Sequence, residues 1–324
     1  MEKLLEVKDL KTSFKTNVGE VQAVRGVSFH LDKGEALGIV GESGCGKSVT
    51  MMSLMRLLAD NAAIEADTIL FDGKDITNPT EKEMQEIRGN DMAMIFQDPM
   101  TSLNPLFTVG DQLTEHLIKH KKVSKKEAKE MAIKMLDMVG IPSPEKRLVQ
   151  YPHEFSGGMR QRAMIAMSLI CEPKLIIADE PTTALTDTET EKLFEVIERL
   201  KKKNIAIIYI SHRLDEIFAI CDRINVLRDG KYVGEENVCD ITKDDLITMM
   251  VGRKMEDQYP YVIPKNIKPL LKLKDICLDG VLKNVNLEVR AGEILGIAGL
   301  MGSGRTELAK TIFGEYKKTS GTIK

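Results

Sequence analysis

Gly41–Ser48 reads GESGCGKS, a loop of the form G-x-x-x-x-G-K-[ST], and the sequence on its two sides differs in kind. Before it, Ala36–Val40 (ALGIV) is an apolar run of strand length, and after it the residues from Lys47 to about Leu58 have helical spacing. A strand that turns through glycines into a helix aims backbone N–H groups and a helix N-terminus at one point, which suits phosphate oxygens. Lys47 adds a point charge for β- and γ-phosphates, and Ser48 adds a hydroxyl for Mg²⁺. A ligand-free glycine turn would need neither the strand nor the helix.

Two further apolar runs, Leu175–Ala178 and Ile205–Ile210, read as buried strands. The first ends in Asp179 and Glu180, at the carboxyl end of a strand, where open α/β sheets bind ligands. Asp179 is suited to hold Mg²⁺ through water, and Glu180 to orient or deprotonate an attacking water. Capping boxes at Ser124/Glu127 and Thr186/Glu189 each precede an amphipathic helix, the first stopped by Gly140 and Pro142. Strands alternating with helices predict an α/β protein with a largely parallel sheet. Ser156–Arg162 (SGGMRQR) precedes an apolar helix expected over Ala163–Ile170, so a hydroxyl, two glycines and a helix N-terminus make a second anion-binding surface.

Composition removes several alternatives. A net charge of −3 gives no bulk field for nucleic acid, and the lysines of 119–129 read as a solvated helix face. The cysteines at 45, 171, 221, 239 and 277 have no zinc spacing and read as reduced thiols. The first residues, MEKLLEVKDL, lack the apolar core of a signal peptide, and no apolar run is long enough to span a bilayer. A membrane link must come through a partner.

The loop also recurs. GEALGIVGESGCGKS from Gly34 is echoed by GEILGIAGLMGSGRT from Gly292, an offset of 292 − 34 = 258, and LEVKDL at Leu5–Leu10 is echoed by LKLKDI at Leu271–Ile276. The expectation is one complete domain over residues 1–250, a proline-containing linker over 251–269, and the start of a second copy over 270–324. That second start should hold a strand, a P-loop and a helix, with Ile294, Leu295, Ile297 and Leu308 left uncovered. Its loop, Gly299, Gly304, Arg305 and Thr306, is degenerate, because planar Arg305 stands where lysine would be.

The P-loop, the Gln of IFQDP, SGGMRQ, LIIADEP and ISH occur in the order found in ABC ATPases, from Gly41 to His212. The sequence resembles that family. The resemblance implies a P-loop NTPase with a RecA-like core, an antiparallel β region, and a helical subdomain at about 98–169. It implies ATP and Mg²⁺ as ligands, with Gly41, Glu42, Ser43, Gly44, Cys45, Gly46, Lys47, Ser48 and Val49 binding ATP and Phe14 stacking on adenine. Gln97 would contact Mg²⁺ and the coupling surface, Glu180 would be the catalytic base, and His212 would sense the γ-phosphate. Ser156, Gly157, Gly158, Met159, Arg160 and Gln161 would form a signature loop that caps ATP on a second nucleotide-binding subunit. The implied partners are membrane permease subunits and, indirectly, an extracytoplasmic solute-binding protein, with the chain peripheral on the cytoplasmic face.

Two subfamilies share the chain. Residues 1 to about 185, including IFQDPMTSLNPLFTVGDQL, resemble oligopeptide/dipeptide importer ATPases. From about Thr186, YISHRLDEIFAICDRINVLRDG and GEILGIAGLMGSGRTEL resemble the tandem ribose/galactose importer ATPases. The change falls in DEPTTAL, which both groups share, and points to a recombinant chain, with a divergent natural member as the alternative. Peptide import ranks first, because the segments that resemblance assigns to permease contact lie in the peptide-like part. Sugar import is the alternative, and a chain that only binds nucleotide is the reading from another class.

Overall fold

The computed structural model describes residues 2–98, 102–252, 268–299 and 302–324. Contacts divide the chain into two compact units, Met1–Lys254 and Met255–Lys324. Most of the linker expected at 251–269 lies outside the described residues.

The first unit holds two sheets. In one, β1 (Lys3–Thr16) and β2 (Gly19–Asp32) pair antiparallel, and β4 (Ala62–Glu65), β5 (Thr68–Phe71) and β6 (Lys74–Asp75) extend it. Asp9 takes a left-handed conformation (φ 50°) inside a bulge between Val7 and Leu10, so both of those apolar residues stay buried. This is the expected antiparallel region.

The other sheet has the order β11-β10-β3-β9-β8-β7. Its strands β3 (Ala36–Val40), β7 (Met92–Ile95), β8 (Leu175–Asp179), β9 (Ala206–Ile210) and β10 (Arg223–Arg228) run parallel, and β11 (Lys231–Asn237) closes one edge antiparallel. Every residue of β3, β7, β8 and β9 is buried, which is why these strands read as unbroken apolar runs. Strands distant in sequence become neighbours here, with β9 seated between β3 and β8.

Among the described residues the α-helices of this unit are α1 (Lys47–Leu54), α2 (Glu81–Ile87), α3 (Val109–His116), α4 (Lys125–Met138), the single turn α5 (Pro144–Arg147), α6 (Gly157–Leu169), α7 (Asp187–Lys202), α8 (Leu214–Ile220) and α9 (Lys243–Val251). Both capping boxes form, ahead of α4 and α7. Three expectations need correction. α1 ends at Leu54, short of Leu58, because the chain turns left-handed at Arg56 (φ 51°). α6 starts at Gly157 instead of Ala163, since the Ser156 hydroxyl caps it by accepting from the Met159 N–H. The lysine run is not one helix face: a π-helical turn ends at left-handed Lys122 before α4 begins. α3, α4 and α6 share a core through Leu113, Ala132, Leu136 and Ala163, in the region expected for the helical subdomain.

The second unit is a three-stranded antiparallel sheet, ordered β13-β12-β14, formed by β12 (Pro269–Leu278), β13 (Leu282–Arg290) and β14 (Ser320–Ile323), with one helix, α10 (Arg305–Phe313). Leu308, expected to be uncovered, is buried with Leu273, Ile276 and Leu282. The expected strand is missing: residues 294–299 have no strand pairing, and Ile294 is 99% exposed.

Candidate active site

The loops that leave the carboxyl ends of β3, β9, β8 and β7 open onto one cleft of about 480 Å³. Gly41, Ser43, Gly44, Gly46, Lys47, Ser48 and Val49 form one wall, and Gln97, Glu180 and His212 the other. The glycines are there for space and for backbone sign. A Cβ on Gly41 would lie 2.1 Å from the Leu227 carbonyl oxygen, and Gly44 and Gly46 are left-handed (φ 81° and 97°). Gly46 is the N-cap of α1 and offers no side chain, so the first N–H groups of the helix keep their donor capacity for a ligand. The Lys47 ammonium, largely buried, donates to the carbonyls of Gly41 (2.9 Å) and Glu42 (3.0 Å). Cys45 faces the core, where burial pushes its thiol pKa up. Glu42 contributes its carbonyl, and neither Glu42 nor Cys45 lines the cleft.

Asp179 closes β8 and is only 3% exposed, and its Oδ1 has no hydrogen-bond partner. Burial raises its pKa, against a hydrogen bond with Ser48 that lowers it. Glu180 is also left-handed (φ 48°), a conformation that costs a non-glycine residue on the order of 1 kcal/mol. Its N–H donates to the Ile210 carbonyl at the end of β9 (2.9 Å), which fixes the turn. The Gln97 amide donates to Glu180 Oε2 at 2.9 Å, and His212 Nδ1 lies 3.3 Å from the same oxygen. Three residues from three strand ends, far apart in sequence, therefore meet at one carboxylate oxygen.

Other expected residues stand elsewhere. Phe14 is half-buried on β1 and does not line the cleft; Ala23, which sequence reading missed, does. None of Ser156, Gly157, Gly158, Met159, Arg160 and Gln161 lines it either. Ser156 is exposed at the start of α6, Arg160 donates to the Phe155 carbonyl (3.0 Å), and buried Gln161 donates to the Pro181 carbonyl (2.8 Å). In the second unit Gly302 and Gly304 repeat the left-handed turns (φ 82° and 86°), but Arg305 and Thr306 are exposed.

A glycine-rich phosphate loop, an acidic strand end and a histidine strand end around one cleft are the plan of a nucleotide-hydrolysing cassette, and the family model described as ABC transporter matches residues 24–183 and 282–324. The chain belongs to the ABC transporter family. It is an ATP-binding ATPase subunit of the importer kind. The cassette is 55% identical over 244 residues to the oligopeptide transport ATP-binding protein OppD of Bacillus subtilis, covering 75% of this chain and 68% of the relative. It is 47% identical over 307 residues to the ribose import ATP-binding protein RbsA of Clostridium tetani, covering 94% of this chain and 58% of that longer relative. Among solved structures, a dimeric ATP-binding cassette with ADP and Pi in a post-hydrolysis state matches with a TM-score of 0.65 at 24% identity, over 72% of this chain and 98% of that one. That last likeness concerns the fold alone. Both groups of relatives agree with the mixed resemblance read from the sequence. No described helix is long and apolar enough to cross a membrane.

Proposed function

We propose that this cassette energises solute import through a separate permease, with Lys47, Asp179, Glu180, His212 and Gln97 as its hydrolytic set. The observation that carries the proposal is the meeting of Gln97, Glu180 and His212 at one oxygen, across the cleft from Lys47. Lys47, now held by loop carbonyls, would exchange them for phosphate oxygens. Glu180 Oε2 is the acceptor for the proton of the attacking water, and the amide of Gln97 and the ring of His212 orient that carboxylate. Mg²⁺ fits the chain: Asp179 presents a buried oxygen without a partner, beside the Ser48 hydroxyl. Bound there with ATP, it would neutralise phosphate charge.

Exposed Ser156 at the start of α6, outside the lining of its own cleft, supports use of Ser156–Gln161 on the ATP of a second subunit. Peptides are the leading cargo, supported by the 55% identity to an oligopeptide transport relative. Ribose-type sugar is the second reading, supported by a relative that matches 94% of the chain. ATPase activity measured with liposomes holding either a peptide-type or a ribose-type permease tests both. Stimulation by the peptide-type permease alone is the expected result. Stimulation by the ribose-type alone would reverse the ranking, and no hydrolysis under any condition would leave a chain that only binds nucleotide.

A further inference from the structure

Behind the cleft the cassette buries a carboxylate to which the reading above gives no role. Glu216, on α8, is 3% exposed. The Thr182 hydroxyl donates to it, 2.8 Å from Oε1 and 3.0 Å from Oε2. The hydroxyls of Tyr209 (3.1 Å) and Ser211 (2.8 Å) donate to Oε2, and an Arg213 guanidinium nitrogen lies 3.1 Å from Oε1. Burial and the neighbouring carboxylate push the Tyr209 phenol pKa upward, so it stays a donor. A carboxylate has about four lone-pair directions, and here they meet donors from every side.

The origins of these donors matter more than their number. Thr182 lies two residues past Glu180, and Ser211 and Arg213 flank His212 on either side. Past the β8–β9 ladder, the backbone joins these two loops through the Glu180 N–H to Ile210 carbonyl bond described above. The side-chain bridge Thr182–Glu216–Ser211 adds to that bond and to the Glu180–His212 contact, and it is charge-assisted, the stronger kind of hydrogen bond. We propose that Glu216 is a positioning residue for ATP hydrolysis: it clamps the loop bearing Glu180 to the loop bearing His212. It is buried and does not line the cleft. The proposal rests on the roles given above to Glu180 and His212.

An amide at this position would face hydroxyl donors with a donor of its own and leave Arg213 without its buried counter-charge. Glu216→Gln should lower kcat about 10- to 100-fold, the scale of a misplacement near 1 Å, while KM for ATP shifts by no more than about twofold. Thr182→Val and Ser211→Ala each remove one donor with little change of shape, and each should lower kcat by a smaller factor in the same pattern. In a His212→Ala background, single-turnover hydrolysis should show no further loss from Glu216→Gln, because the residue acts through the histidine. A loss that multiplies in that background, or KM and melting temperature that worsen together in all three variants, means a merely structural carboxylate and overturns the proposal. So does an unchanged kcat in all three. A wild-type chain that binds ATP without hydrolysing it would instead overturn the roles of Glu180 and His212, which separates the two failures.

Discussion

Residues 34–48 and 292–306 spell the same device, and it comes out whole in the first unit and half-made in the second. The left-handed glycines recur: Gly44 and Gly46 at φ 81° and 97°, Gly302 and Gly304 at 82° and 86°, with Gly46 and Gly304 each serving as a helix N-cap. The upstream hairpins agree as well, with Asp9 and Asp275 left-handed at φ 50° and 52° in matching bulges. The strand before the loop does not follow. Ala36–Val40 is buried throughout and paired with β9 and β10, whereas residues 294–299 are unpaired and largely exposed. Turns and caps are set by residues within three or four positions of each other, while a strand exists only where neighbours supply its hydrogen bonds and cover its faces. The lysine position differs too. Lys47 is drawn inside by loop carbonyls, whereas Arg305 is exposed.

The sharpest contrast should be catalytic. Lys47→Ala should cut ATP hydrolysis about 100-fold or more, the scale of losing one contact aimed at developing charge. Arg305→Lys, which restores the letter without the strand, should create no second nucleotide site. A fluorescent ATP analogue titrated against both variants and the wild type would read this, and two sites in Arg305→Lys would break the comparison.

Stability should divide the same way. Ile39 and Ile297 are matched positions of the repeat, one fully buried and the other 47% exposed. Ile39→Ala should cost about 2–5 kcal/mol by denaturant unfolding of the first unit. Ile297→Ala should fall within about 0.5 kcal/mol of no change. Equal losses would mean that residues 294–299 are covered after all.

The smallest effect concerns Asp179. Its pKa is raised by burial, so folding opposes its ionisation, and nucleotide-free stability should decline as pH rises from the ordinary carboxylate range to its higher folded value. Asp179→Asn removes that charge and should raise the melting temperature of the nucleotide-free cassette by about 2–4 °C for each kcal/mol relieved. The same change should suppress hydrolysis. A lower melting temperature together with normal turnover would show that the buried carboxylate stabilises the fold and has no part in the chemistry.

Much of this is legible in the sequence. The P-loop, both capping boxes and the acidic strand end depend on residues close in sequence, and LIIADE carries its own burial pattern. The start of α6 escapes the sequence because SGG reads as a loop, while Ser156 in fact caps a helix that runs through the glycines. Phe14 carries no local signal beyond likeness and does not line the cleft, whereas Ala23 does. Glu216 could have been suspected as an acid on the same helix face as Ile217 and Ile220, both buried with it.

The sequence by itself determined the device at 41–48, because phosphate loops are built from backbone signs and caps that a few adjacent residues dictate. Tertiary structure alone decided that Gln97, Glu180 and His212 meet, and that Glu216 joins the loops beneath them. Those contacts span separations such as the 83 residues between Gln97 and Glu180 and depend on β9 entering the sheet between β3 and β8. Strand order is fixed by how the whole set of faces is buried, and no short stretch contains that information. Residues 294–299 show the same limit from the other side: the apolar letters of a strand are present, and without neighbours there is no strand.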